Sequence, residues 1–184
     1  MLRFVFNSEK ALAAILYISK QLIEHTGRTG AGIHHVAKVL YFADQKHLAR
    51  YARPIAGDHY IAMKYGPVPS KIYDMIKSIR GDGCCDIPNI ESYLEVRGHF
   101  VIPKMEADLD ELSETELACI NESLQENQGL SFEELKNKSH GRAYARATKD
   151  DKISYLNMAN EAKVDENILR YMRLLSENVR MLEA

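Results

Sequence analysis

The sequence of 184 residues contains no tryptophan, only three cysteines and no long apolar run. A membrane-spanning helix needs about 20 consecutive apolar residues, and no stretch of the chain approaches that length. The N-terminal segment turns polar directly after Phe6, so it also lacks the apolar core of a signal peptide. We therefore expect a soluble protein that is not exported.

The cysteines are poorly placed for a disulfide framework. Cys84 and Cys85 are adjacent and do not readily pair with each other, and Cys119 leaves an odd number. Disulfides are uncommon where thiols are kept reduced, so this pattern is typical of an intracellular protein. We expect free thiols and a cytoplasmic location.

The chain also lacks a strong excess of either charge. Its 24 Lys and Arg residues nearly balance its 26 Asp and Glu residues, which argues against a nucleic acid partner for the chain as a whole. The distribution is uneven, however. Basic residues predominate between Arg28 and Arg80, whereas residues 105–135 contain acids and no Lys or Arg. This asymmetry either steers a charged partner or reflects two surfaces that attract each other within the fold.

Apolar residues recur every three or four positions in three N-terminal segments, which predicts three amphipathic helices. The first runs from an N-cap at Ser8 to about Gly27, the second begins near Ile33 and ends before Pro54, and the third is capped by Ser70. The polar face of the second helix is predicted to carry three basic residues: Lys38, Lys46 and Arg50.

Two segments have the alternation and the β-branched or aromatic content of strands. Residues 60–65 predict one short strand, which the glycine and the two prolines of residues 66–69 then interrupt. Residues 93–104 predict one or two strands that could pair with the first. We expect one small antiparallel sheet of two or three strands.

The C-terminal half is predicted to be helical. Capping-box patterns at residues 113–116 and 131–134 indicate two helix starts. We expect a mainly α, single helical domain over residues 1–160 and a C-terminal helix over residues 161–184, packed on that domain or used in oligomerisation. Two heptads rarely hold an isolated coiled coil, which favours packing, but a homodimer remains open through one apolar stripe: Ile168, Met172, Leu175, Val179 and Leu182.

Several segments together resemble the Panacea domain. Residues 38–48 (KVLYFADQKHL), 53–55 (RPI) and 63–73 (MKYGPVPSKIY) have the order and spacing of its most recognisable part. Residues 112–116, 130–135 and the pair Ser139–His140 are similar to its later helices and its Ser/Thr-His signature, and the resemblance covers roughly residues 10–160. Family members often carry Trp where this chain has Met63 and Tyr144, which are also large enough for a packing role.

The resemblance implies a mainly helical domain with a small sheet, found in SocA-like antitoxins of bacterial and phage-linked toxin–antitoxin pairs. In these pairs the domain inhibits its toxin by contact. We therefore expect a cytoplasmic antitoxin whose partner is a cognate toxin protein. We expect no catalytic activity, no cofactor, no metal and no membrane association.

The segment Gly66–Pro69 is the strongest candidate for a contact site. Two prolines restrict the backbone, so neighbouring aromatic side chains would be presented at a low entropic cost, which favours protein recognition. The same segment equally suits a rigid structural turn. The residues predicted to bind toxin are Tyr41, Asp44, His47, Tyr65, Gly66, Pro67, Val68, Pro69, Tyr73 and His140.

A DNA-binding regulator is the first alternative function. It would place phosphates on four cations, Arg28, Lys38, Lys46 and Arg50, although the sequence has no clear helix-turn-helix signature.

A hydrolase is the second alternative. Asp44 and His47 lie one helical turn apart and could hydrogen-bond, although a buried histidine with a polar partner is more often structural. The pair His34–His35 matches no metal-binding spacing.

Overall fold

The computed structural model describes residues 2–182, except for the side chains of residues 176 and 178–182. This part of the chain is mainly α-helical, as predicted. Its helices are α1 (Ser8–Thr26), α2 (Ile33–Tyr51), α3 (Ser70–Ser78), α4 (Glu114–Asn127), α5 (Phe132–Ser139), α6 (Arg142–Ala145), α7 (Tyr155–Glu161) and α8 (Glu166–Leu182). Its strands are β1 (Ala31–Gly32), β2 (Tyr60–Met63), β3 (Gly66–Pro69), β4 (Leu94–Arg97) and β5 (Phe100–Pro103).

The strands form two small antiparallel sheets. In one, β5 lies between β1 and β4; in the other, β2 pairs with β3. The predicted pairing of residues 93–104 with the strand near Tyr60 is therefore wrong. Strands β4 and β5 are instead joined by a tight turn at Gly98, whose positive φ of 55° suits glycine, and closing such a short loop costs little entropy.

We predicted that the segment Gly66–Pro69 interrupts a strand. In the structure this segment is itself strand β3. Prolines lack the N–H that a central strand must donate, so they are tolerated at an edge. Pro67 and Pro69 are two residues apart and occupy the same phase of the antiparallel ladder. The N–H of Ser70 donates to the carbonyl of His59, which places the hydrogen-bonding positions in the opposite phase.

Helix α2 lies between two apolar cores. Its residues Val36, Val39, Leu40 and Ala43 join the first core, which also contains α1, α3 and parts of α4 and of the three-stranded sheet. Its residues Tyr41, Phe42 and Leu48 join the second core, which contains β2 and parts of α5 to α8. Burial on both sides leaves α2 with little of the polar face that the sequence predicted, and Lys38 on that face is fully buried.

The helix caps show which local sequence signals were sufficient to predict where a helix begins. Both predicted capping boxes, at Ser113 and Ser131, are confirmed. Helix α1 is capped by Asn7, one residue before the predicted Ser8. Ser70 does not cap α3; the buried carboxylate of Asp58 accepts the N–H groups of the second and third helix residues instead.

The basic residues at the end of α2 pair with the acidic residues of α4. Arg50 binds Glu122 through two hydrogen bonds, and Lys46 pairs with Glu122 and Glu126. Glu116 is fully buried and pairs with Lys10 and Arg53. Burial opposes ionisation of Glu116, but the hydrogen bonds from these cations and from a backbone N–H outweigh it, so the pKa is lowered. For these residues the charge asymmetry of the sequence reflects attraction within the fold.

Helix α8 packs its apolar stripe on the second core. Met172 is fully buried, and Ile168 and Leu175 are partly buried against that core. Val179 and Leu182 lie outside the described side chains. The described part of the stripe is therefore used within the chain, and a homodimer through it stays a prediction. None of the helices in residues 2–182 combines the length and apolar content needed to cross a bilayer.

Replacing Glu116 with alanine should strongly destabilise the fold, because Lys10 and Arg53 lose the buried carboxylate that they share. We expect the free energy of unfolding to fall by about 2–4 kcal/mol. The control is Glu122→Ala, which removes a half-exposed carboxylate from the same helix and should cost less than about 1 kcal/mol. Urea unfolding followed by circular dichroism measures both changes. Equal losses would contradict a structural role for the buried ion pairs.

Candidate partner-binding site

The hairpin β2–β3 presents a two-residue turn, Lys64–Tyr65, at the surface. Its register pairs Met63 with Gly66 at the end of the hairpin. The side chain of Tyr65 is 48% exposed and that of Met63 is 37% exposed. The hairpin therefore holds two large apolar side chains in contact with solvent.

Gly66 is required by both the backbone and the packing. Its φ of 99° lies in a region that side-chain-bearing residues rarely adopt. A Cβ atom there would lie 2.5 Å from the hydroxyl oxygen of Ser139 and 3.0 Å from Cε of Lys38. The hairpin thus packs its glycine directly onto α2 and the end of α5.

Lys38 anchors the hairpin from beneath. Its side chain is fully buried, and its amine donates a 2.6 Å hydrogen bond to the carbonyl oxygen of Pro67. The described contacts of this amine include no carboxylate. Burial without a counter-charge lowers the pKa of Lys38 to about 7.

Aromatic rings from three elements meet at the turn. Phe132, the first residue of α5, is 45% exposed and packs edge-on against Tyr65 with ring centroids 5.5 Å apart. The ring of His34 in α2 packs against the ring of Phe132 with centroids 4.2 Å apart. The Nε2 of His34 lies 3.1 Å from the carbonyl oxygen of Tyr65. Burial and the nearby amine of Lys38 lower the pKa of His34 to about 4, so its ring is neutral at pH 7.

Helix α6 completes this surface. The hydroxyl of Tyr144 donates a 2.9 Å hydrogen bond to the carbonyl oxygen of Met63. The ring of Tyr144 stacks on His140 with centroids 4.1 Å apart and an interplanar angle of 7°. His140 is the C-cap of α5, and its Nε2 is buried without a hydrogen-bond partner among the described residues. We call the resulting surface the hairpin patch: His34, Met63, Tyr65, Phe132 and Tyr144.

A family model described as antitoxin SocA-like, Panacea domain, matches residues 36–145. The chain belongs to this family. The matched residues run from the first turn of α2 to the end of α6, and they contain the hairpin patch except for His34. No curated protein and no solved structure matches the chain.

The Panacea domain of this chain brings together only some of the residues that we predicted to bind toxin. Tyr65 belongs to the hairpin patch, and His140 lies beside it. The second strand of the hairpin, β3, consists of Gly66, Pro67, Val68 and Pro69. Tyr73 is half-buried on α3, where the amine of Lys77 lies over its ring. Direct toxin contact by these residues stays a prediction.

Three other predicted contact residues are buried in α2. Tyr41, Asp44 and His47 are at most 1% exposed, so their side chains offer a partner no surface. Tyr41 accepts a hydrogen bond from Gln45, which lies one turn further along the helix. These residues can act in binding only by supporting the hairpin and the loop before it.

The hydrolase alternative would need a hydrogen bond between Asp44 and His47. The described contacts of these two residues do not include one. Asp44 accepts the N–H of Ile55 and the hydroxyl of Tyr60, each at 2.6 Å, and burial raises its pKa to about 7. His47 contacts the carbonyl oxygen of Arg53 and the hydroxyl of Thr115. Within residues 2–182 no group of three or more His, Cys, Asp or Glu residues could hold a metal ion.

The sequence also contained residues of this site, in the hairpin patch or beneath it, that we missed. Phe132 directly follows the capping residue Ser131, and an exposed aromatic residue at a helix start is a usable signal. Lys38 gave no such signal, because a lysine among apolar helix residues usually indicates a solvated face. Its burial depends on the hairpin, which is distant in sequence.

Replacing Gly66 with alanine should displace the hairpin. We expect a loss of about 3 kcal/mol of stability, because an overpacking term adds to the cost of the left-handed backbone. Gly27→Ala is the matched control, since Gly27 has a φ of 65° and nothing within 4 Å of an added Cβ. It should lose only the backbone part, about 1–2 kcal/mol. Thermal unfolding compares the two; equal losses would show that the contact with Ser139 and Lys38 is not tight.

Replacing Lys38 with methionine should remove part of the pH dependence of stability. The ordinary lysine pKa is 10.5, and burial lowers it to about 7 in the folded chain. Between these values the unfolded chain binds more protons, so this group makes the wild type more stable as the pH rises. Lys38→Met should lack that increase. Urea unfolding at two alkaline pH values, applied to both proteins, gives the difference; an identical pH dependence would contradict the burial of a lysine amine.

Proposed function

We propose that this chain is an antitoxin that neutralises a cognate protein toxin by direct contact, and that the hairpin patch is the centre of the contact. Membership of the SocA-like antitoxin family supports the first part. The second part rests on one observation: Met63 and Tyr65 are exposed on the hairpin, and the exposed ring of Phe132 at the start of α5 packs against Tyr65.

Exposed aromatic residues on a rigid support are favourable binding anchors. They bury a large area on binding, and little side-chain entropy is lost because their orientation is already restricted. Here the rings pack against each other, Gly66 and Lys38 fix the hairpin, and Tyr144 ties it to α6. A lasting protein interface buries about 1,200–2,000 Å² in total, so the contact must extend beyond the hairpin patch to neighbouring elements.

The DNA-binding alternative loses most of the cations that it requires. Lys38 is buried, Lys46 and Arg50 are paired with acids of α4, and only Arg28 of the original four is exposed without such a pair in the described contacts. Our proposal is therefore a binding protein acting on another protein in the cytoplasm. It involves no catalytic step.

The proposal is tested first by growth rescue and co-purification. The product of the adjacent gene is expressed alone and together with this chain. We expect toxicity from the neighbour alone, rescue by this chain and a stable complex of the two proteins. A toxic neighbour that this chain neither binds nor neutralises would overturn the proposal.

Replacing Tyr65 and Phe132 together with alanine should weaken the complex by at least about 30-fold, or about 2 kcal/mol, because both rings are anchors at the centre of the contact. The matched control replaces Leu109 and Tyr171, which are 45% and 53% exposed on other elements. Calorimetric titration with the toxin measures both affinities. Equal affinities for the two double variants would remove the hairpin patch from the interface.

A further inference from the structure

Four basic residues around the hairpin patch have no acidic partner among the described side chains, whereas nine other Lys and Arg residues form ion pairs. Lys64 lies at the hairpin turn, Arg142 and Arg146 lie in or directly after α6, and Lys149 follows them. All four are exposed, and their described side-chain contacts include no ion pair and no hydrogen bond. The amine of Lys64 lies 5.1 Å from the ring centroid of Tyr65. We call these four residues the cationic rim.

The fold holds the cationic rim against the hairpin. Tyr144, between Arg142 and Arg146, bonds to the carbonyl oxygen of Met63. Residues 150–153 then run along the edge of β2 that faces away from β3: the N–H of Asp150 donates to the carbonyl of Ala62, and the N–H of Ala62 donates to the carbonyl of Asp151, each at 2.9 Å. The N–H of Ile153 donates to Tyr60 at 2.8 Å. The chain carrying Lys149 thus turns back beside the hairpin patch.

The acids near this surface leave it with a positive excess. Glu133 pairs with Lys136, Glu134 accepts the N–H of Ser131, and Glu161 accepts the N–H of Ala143. Asp150 and Asp151 are exposed and follow Lys149 directly, and Lys152 follows them. Residues 142–152 therefore contain four cations and two acids, to which Lys64 adds a further cation.

We infer that the cationic rim recognises an acidic surface on the partner, one that surrounds an apolar centre complementary to the hairpin patch. This inference rests on the proposed function. Unpaired cations around an apolar centre attract acidic partners over several ångströms and so increase the association rate, while the buried anchors set the dissociation rate. This assigns a steering role to α6 and its neighbours, whereas the sequence analysis considered that role for the charge asymmetry between residues 28–80 and 105–135.

The experiment measures association and dissociation rates of the full chain with the co-purified toxin at low and high salt. The test variant carries Arg142→Glu, Arg146→Glu and Lys149→Glu. The control carries Lys20→Glu, Arg97→Glu and Lys104→Glu, which change the net charge equally in α1, in β4 and just after β5. Unfolding midpoints establish that the variants are folded, and a glutamine version of the test variant replaces it if it does not fold.

We expect the test variant to associate at least about tenfold more slowly at low salt, to lose most of its salt dependence and to dissociate within about twofold of the wild type. The control should retain the association rate of the wild type more closely. If both variants form the complex and associate at equal rates, the steering role of the cationic rim is contradicted. The proposed function would remain intact.

Two further outcomes separate the alternatives. If the wild type forms no complex with the toxin, the proposed function fails and this inference fails with it. A fluorescent single-stranded oligonucleotide serves as the probe for nucleic acid. The wild type could bind this oligonucleotide in a salt-sensitive way, and the test variant could lose that binding while its toxin binding is unchanged. This result would assign the cationic rim to nucleic acid and overturn our inference.

Discussion

Helix α2 is surrounded by other elements, and the need to satisfy its buried polar groups determines much of the structure. Three of these groups are matched by partners from elsewhere in the chain: Lys38 by the carbonyl of Pro67, Asp44 by Ile55 and Tyr60, and His47 by Arg53. A buried polar group without a partner costs about 1–3 kcal/mol, so these contacts constrain where the following loop and hairpin can lie. The polar residues of α2 therefore position other segments.

The hairpin patch is a consequence of this arrangement. Because the amine of Lys38 and the hydroxyl of Ser139 lie directly under Gly66, the hairpin packs closely there and leaves no room for a side chain at this position. With the hairpin packed in this way, Tyr65 meets Phe132, and Met63 meets Tyr144. Met63 and Tyr144 are the two positions at which the sequence departs from the tryptophans frequent among Panacea domains, and the fold places them together at this surface.

Signals that act within a few residues were enough to predict part of the fold. The capping boxes before α4 and α5 were found because both partners lie within four residues, and the apolar period predicted α1, α2 and α8. Contacts between distant segments were not predictable in this way. Asp58 caps α3 across the hairpin, β3 is a proline-containing strand only because it lies at an edge, and Lys38 is buried only because the hairpin covers it. Of the candidate site, Tyr65 and residues 66–69 were found, whereas Phe132, His34 and the cations after α5 were missed.

Amide hydrogen exchange of the complex with the toxin tests the central claim most directly, because it locates the contact without altering any residue. We predict that binding slows exchange at the hairpin turn, at the start of α5 and along residues 140–149, and leaves β4, β5 and α8 unchanged. Protection confined to α8 or to the three-stranded sheet, with no change at the hairpin, would contradict the claim that the Panacea domain of this chain binds its partner through the hairpin patch.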